Sequence, residues 1–268
     1  MCDSCGCNVT HGNANLIKPG GKLHKTESGK EAVTVLHNLL HENDHTAEHN
    51  RQHFDQHQVL AINLMSSPGA GKTALLEATI QELDPALRLA VIEGDLETEN
   101  DAERIRKQGV KAIQIATGSA CHLDAHMIHQ ALHQLDLNDY DIIFIENVGN
   151  LVCPASFDLG QHLNVTLLSV PEGDDKPAKY PVMFRTSDLV LISKSDLLPV
   201  LDDFKPESAR QYLKDIACDS PVMELSAKSR AGFTHWLDWI EQQLATRKQY
   251  LQQHPAESAH THHQHDVL

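Results

Sequence analysis

Three groups of residues in this chain carry donor chemistry. Cys2, Cys5 and Cys7 place three thiols within six positions. Thiolate is a soft ligand, and with the α-amine freed by loss of Met1 the set suits a square-planar Ni2+ or a tetrahedral Zn2+. No apolar segment lies near for these cysteines to staple, so metal ligation is their expected use. His37, His41, His45, His49, His53 and His57 recur at every fourth residue. On a helix, side chains four apart are neighbours and can chelate in pairs. Each step turns about 400°, so the stripe winds by about 40° per step and its imidazoles cannot all converge on one ion. Weak two-histidine sites suited to metal storage are the expectation, against a plain polar repeat on a solvated helix. His260, His262, His263 and His265 form a shorter, irregular version of the same pattern.

The third group is Ser66-Ser67-Pro68-Gly69-Ala70-Gly71-Lys72-Thr73, set between an apolar run at 59–65 and a helical pattern at 73–83. Strand, small-residue loop and helix in that order form a phosphate cradle. Backbone N–H groups of Ser67, Gly69, Ala70 and Gly71 would turn toward phosphate oxygens, helped by the positive end of the helix. Lys72 would neutralise β/γ oxygens and Thr73 would offer a hydroxyl to Mg2+. Ser66 stands where glycine is usual.

Mg2+ needs hard oxygen ligands. Asp95 and Glu146 each follow an apolar run, at the carboxyl edge where open α/β sheets bind ligands, and Gly149 could donate its N–H to a γ-phosphate. Ser193-Lys194-Ser195-Asp196 has the order of a guanine-reading loop, with Ser193 in place of asparagine. Asp196 would accept from guanine N1–H and the 2-amino group, both of which adenine lacks as donors, while the Lys194 stem covers the base. Ser226-Ala227-Lys228 would complete the base pocket. Cys121, His122 and Cys153 fall after core strands on the same edge. Such cysteines are as a rule small buried hydrophobes, but a metal held there could sense the γ-phosphate through the Glu146–Cys153 segment. Cys121-His122 is expected to open a helix whose His126, His129 and His133 are solvated, and Cys218 is a core or surface cysteine.

Positioning these groups requires an alternating framework. Apolar runs at 59–65, 88–93, 112–116, 141–146, 164–170, 189–193 and 222–225 read as strands, and helical patterns lie near 73–83, 98–108, 121–135, 176–185, 207–217 and 233–249. This predicts a mainly parallel sheet covered by helices on both faces. The expected organisation is a flexible cysteine arm at 1–30, a histidine-rich helix or linker at 31–58, a nucleotide-binding domain at 59–250 and a flexible tail at 251–268. With net charge −15 the chain is a poor match for nucleic acid, and no run reaches the roughly 18 apolar residues of a membrane span. Clustered cysteines without an export signal point to a reducing, cytoplasmic setting.

In combination, Met1-Cys-x-x-Cys-Gly-Cys7, Ser66–Thr73, Glu93-Gly-Asp95, Glu146-Asn-Val-Gly-Asn-Leu-Val-Cys-Pro154 and Glu172-Gly-Asp-Asp-Lys-Pro-Ala-Lys-Tyr-Pro181 resemble the HypB hydrogenase nickel-incorporation GTPases. The resemblance implies an α/β P-loop NTPase of the SIMIBI type that hydrolyses GTP with Mg2+. It implies GTP-dependent homodimers that work with a HypA-like nickel chaperone on the large-subunit precursor of [NiFe]-hydrogenase. It further implies a tight nickel site at Cys2, Cys5 and Cys7, and a weaker one at Cys121, His122 and Cys153 shared across the dimer. A urease-type nickel GTPase, a nickel or zinc storage protein with a regulatory GTPase domain, and an ATP-dependent small-molecule kinase are the competing expectations.

Overall fold

The computed structural model describes residues 32–95, 100–118 and 120–254, with side chains from residue 40 onward. Cys2, Cys5, Cys7, the His37 side chain and the histidines of the tail lie outside the described residues. Seven strands form one all-parallel sheet: β1 (Leu60–Ser66), β2 (Leu89–Asp95), β3 (Lys111–Ala116), β4 (Ile142–Glu146), β5 (Leu163–Ser169), β6 (Leu189–Ser193) and β7 (Val222–Glu224), in the spatial order β3-β2-β4-β1-β5-β6-β7. Central strands are apolar on both faces because both faces are covered.

The helices are α1 (Ala32–Gln56), α2 (Lys72–Glu82), α3 (Asn100–Lys107), α4 (Ala125–Leu132), α5 (Lys176–Lys179), α6 (Pro181–Arg185), α7 (Pro206–Asp215) and α8 (Phe233–Gln253). On one face Leu60, Ile62, Leu64, Val91 and Phe144 pack with Leu75 and Leu76 of α2, Ile105 of α3 and Trp236 and Ile240 of α8. The Trp236 indole donates to Thr79 Oγ1 at 2.9 Å, which satisfies the polar atom of this buried ring. On the other face Ala61, Ala90, Ile92, Ile143 and Ile145 pack with Phe54 of α1 and Ile128 and Ala131 of α4. Val190 and Ile192 pack with Phe184 of α6 and Leu213 of α7.

Two local expectations are corrected. The helix foreseen from residue 121 begins at Ala125, because Asp124 caps it by accepting from Met127 N at 2.8 Å. Cys121-His122 therefore sits in the loop before α4. The helix foreseen over 176–185 is two short ones, divided at Tyr180 where Pro181 supplies no N–H.

A third correction concerns the packed body, which does not start at residue 59. Ala47, Asn50 and Phe54 of α1 are fully buried at helical spacing. Asn50 Nδ2 donates to Ala125 O at 2.8 Å and to Leu159 O at 3.1 Å. Asn43 Oδ1 accepts from Ala125 N, while its Nδ2 donates to Asp158 O. Arg51 donates to Gln161 O and pairs with Asp158. Gly160, at φ +89°, makes the close approach possible: a Cβ there would meet Ala47 O at 2.5 Å and Asn50 Cβ at 2.6 Å. Replacing Asn50 by alanine removes the buried amide that bonds Ala125 O, Leu159 O and His129, so urea unfolding of Asn50→Ala should show a loss of about 1–3 kcal/mol, with proteolysis in α1 preceding that in the sheet.

Candidate nucleotide and metal site

The 66–73 loop connects β1 to α2 at the carboxyl edge of the sheet, and Gly71 caps the helix. Lys72 Nζ donates to Ser66 Oγ at 3.1 Å, and Ser66 Oγ donates to Ser67 O at 2.7 Å. Serine in the usual glycine position thus gives the buried lysine an acceptor. Gly149 lies against the same loop, where a Cβ would meet Pro68 Cα at 2.8 Å.

Side chains along β4 alternate, so Ile142, Phe144 and Glu146 share the α2 face. Thr73 Oγ1 donates to Glu146 Oε1 at 2.8 Å, while Glu146 Oε2 is buried with no hydrogen-bond partner among the described residues. Burial pushes this carboxyl up to about 7, against the opposing pull of Lys72 and the Thr73 hydroxyl. A buried, under-satisfied carboxylate beside a hydroxyl is a hard-oxygen donor set that fits Mg2+. Asp95 ends β2 at half-exposure, with its backbone carbonyl accepting from Thr117 N. The sequence singled out Asp95 and Glu146 but not Glu93, which is level with Glu146 on the adjacent strand. Glu93 is 2% exposed, and burial with the Glu146 charge pushes it up to about 8. Its position two residues before Asp95, on the same side of β2, was the available signal.

On the other side of the loop, Ser193 Oγ donates to Ala70 O at 2.8 Å and Lys194 Nζ to Gly69 O at 2.6 Å. Ser193 therefore tethers the phosphate loop to β6. Asp196 Oδ1 accepts from Ser226 Oγ at 2.7 Å, and Ser226 Oγ accepts in turn from Lys228 N and Ser229 N. Ala227 follows in the same turn, so the two loops after β6 and β7 form one unit holding an aspartate oxygen in place.

Cys121, His122 and Cys153 come together beyond β4, with one donor atom from each within 4.8 Å of the others. The two sulfurs are 3.1 Å apart, and Cys121 Sγ is 3.8 Å from His122 Nδ1. His122 is buried and stacks on Phe157 with ring centroids 4.0 Å apart. Burial lowers its pKa, with Asp124 opposing, and so favours the neutral ligating imidazole. Two thiols and an imidazole are a borderline-soft set for Ni2+ or Zn2+. Cys218 stands apart, buried and donating to Phe184 O.

Asn147 and Asn150, which the sequence did not single out, join the two regions. Asn147 Oδ1 accepts from Leu123 N at 3.2 Å and Val148 N at 3.0 Å, and its Nδ2 donates to Asn63 Oδ1. Asn150 Nδ2 donates to Cys121 O at 3.3 Å. Of the histidine series, His41 and His45 are exposed, and His49, His53 and His57 are partly buried. His129, expected to be solvated, is instead partly buried against Asn50 and His49.

A phosphate loop at the carboxyl edge of an all-parallel sheet, with buried carboxylates on one side and the Asp196–Ser226 pair on the other, defines a P-loop nucleotide-binding protein. The family model described as CobW/HypB/UreG, nucleotide-binding domain, matches residues 60–224. The hydrogenase maturation factor HypB of Azotobacter vinelandii is 50% identical over 210 residues, covering 78% of this chain and 69% of the relative. That of Escherichia coli K12 is 47% identical over 233 residues, covering 87% and 78%. HypB from Helicobacter pylori in complex with nickel superposes with a TM-score of 0.73 at 39% identity, over 82% of this chain and 100% of that one. HypB from Archaeoglobus fulgidus gives 0.71 at 39% identity, over 76% and 100%. The chain belongs to the CobW/HypB/UreG family and, within it, to the HypB hydrogenase maturation factors. Among the described residues, no helix is long and apolar enough to cross a membrane.

The Glu146 pKa carries a stability prediction. Between its ordinary value near 4.5 and the folded value near 7, the folded protein holds a proton that the unfolded chain has released. Stability from this group is therefore greatest at acid pH and falls as the pH rises through about 7. In nucleotide-free protein, Glu146→Gln should raise the unfolding free energy by on the order of 3 kcal/mol at pH 8 and by much less at pH 5. Equal gains in urea titrations at the two pH values would contradict this origin.

Proposed function

We propose that this chain is a GTP-hydrolysing factor that carries nickel to [NiFe]-hydrogenase during its maturation, with nickel as cargo and nucleotide state setting its release. The observation that carries this is the short Glu146–Cys153 segment, one end of which faces the phosphate loop while the other supplies a thiol to the Cys121/His122/Cys153 cluster. The nickel complex of the Helicobacter pylori relative supports the choice of metal.

In this reading Thr73, Asp95 and Glu146 would hold Mg2+, and the ion would supply positive charge beside the transferred phosphate. Lys72 leaves Ser66 Oγ for those oxygens, and the Gly149 N–H faces the γ-phosphate. Asp196, held by Ser226, accepts from guanine, and Lys194 lies beside the base. Loss of the γ-phosphate releases Gly149, and the segment carries that movement to Cys153. Three ligands leave a metal coordinatively open, and Val152 beside them is 59% exposed, so two copies facing each other in the GTP state complete the site. Cys2, Cys5 and Cys7 form a tighter nickel site on the arm. A HypA-like chaperone and the hydrogenase large-subunit precursor, in the cytoplasm, are the proposed exchange partners.

Base choice is the direct test. The protein should hydrolyse GTP with a kcat/KM at least about 100-fold above that for ATP. Asp196→Asn should lower the GTP value by about 10–100-fold, the worth of charge-assisted hydrogen bonds, and improve XTP, whose 2-oxo group accepts from the new amide. Equal use of ATP and GTP would refute the assignment.

A further inference from the structure

The packing of α1 on α4 brings together imidazoles that a single helix could not. His49 and His53 on α1 face His129 on α4, and one nitrogen from each lies within 4.8 Å of the others. Ring centroids are 4.5 Å apart for His49–His53 and 5.1 Å for His49–His129. Two nitrogens each about 2.1 Å from one ion lie roughly 3–3.5 Å apart, so modest side-chain rotation closes the set.

The tautomer of His129 follows from Asn50. The buried Asn50 Nδ2 is committed to the carbonyls of Ala125 and Leu159, which leaves Oδ1 as the acceptor facing His129 Nδ1 at 3.1 Å. His129 Nδ1 must then carry the proton, and Nε2 presents a lone pair. An acceptor that fixes the distal nitrogen of a ligating imidazole is the usual supporting arrangement at metal centres, and here the Asn50 amide oxygen takes that place. His133 Nε2 lies 3.2 Å from His129 Nε2 and donates to that lone pair. Being exposed, His133 can swing away or join as a further ligand. A cleft of about 530 Å³ lined by His53, His57, His129 and His133 gives an ion access from solvent.

We propose that His49, His53 and His129 form a divalent transition-metal site between α1 and α4, taking Ni2+ or Zn2+ through three imidazole nitrogens. It is separate from the Cys121/His122/Cys153 cluster and differs in kind from pairwise chelation along α1. Its ligands come from two elements far apart in sequence, so an ion there locks α1 onto the helix that directly follows Cys121-His122. The site depends on the α1–α4 packing alone and stands whether or not nickel delivery is the chain's function.

The test uses the full chain with Cys2, Cys5, Cys7, Cys121 and Cys153 changed to serine, so that thiolate sites do not mask imidazole sites. Titration with Zn2+, and separately with Ni2+, should show one site tighter than the remaining histidines. His49→Gln, His53→Gln and His129→Gln should each weaken it by at least the about 10–100-fold typical of removing even a supporting partner. His45→Gln and His126→Gln should leave it unchanged. His49→Gln keeps the Asn50–His129 bond, so its result does not depend on the α1 contact being weakened. Metal should slow amide exchange in both 45–56 and 125–132 of the parent. Parental affinity in His129→Gln, or protection confined to α1, would overturn the proposal.

Discussion

The end of β4 turns one side chain toward the phosphate loop and α2, and the next toward the loop that carries Cys121 and His122. Because a strand alternates faces, Glu146 meets Thr73 of α2, while Asn147 is placed to bond Leu123 N in the loop before α4. The Asn147 amide is 1% exposed and also reaches Asn63 of β1, so it cannot rotate without breaking buried bonds. Asn150 then ties the following turn to the Cys121 carbonyl. The phosphate loop, the carboxylates and the thiols are therefore held by one short stretch of backbone.

That constraint is extended by α1. Its Asn43 and Asn50 hold the start of α4, and its Arg51 holds the 158–161 turn, so the helix clamps the two segments that run on from Cys121-His122 and from Cys153. The same contacts bring His129 to His49 and His53. Burial lowers the His53 pKa to about 4, reinforced by its neighbouring imidazoles, which keeps the His53 ring uncharged at neutral pH.

Much of this was legible in the sequence, for identifiable reasons. All seven strands were read from apolar runs, since a sheet covered on both faces leaves no alternation to blur them. The 66–73 loop, Glu146, Asp196 and Ser226 were singled out by order and spacing, and the structure places each of them at or just after the end of a strand, on the carboxyl edge of the sheet. What escaped detection depends on contacts between distant segments. Among the described side chains, those of α1 that are fully buried are Ala47, Asn50 and Phe54, set among polar residues, and the middle one is an asparagine whose partners are more than 70 positions away. Glu93 looked like ordinary strand sequence until register placed it beside Glu146. Ser193 stood out only as a departure from asparagine in the guanine-reading order, and its hydroxyl bonds the phosphate loop.

The central claim is that nucleotide and metal are coupled through the Glu146–Cys153 segment. Nickel affinity at Cys121/His122/Cys153, measured with Cys2, Cys5 and Cys7 changed to serine, tests it directly when compared in GDP and in a non-hydrolysable GTP analogue. The account predicts that nickel binding differs between the two states, and that nickel shifts the ratio of nucleotide affinities by the same factor, since linkage is reciprocal. Asn147→Ala should reduce that factor toward unity. Identical nickel affinities in both nucleotide states would contradict the account.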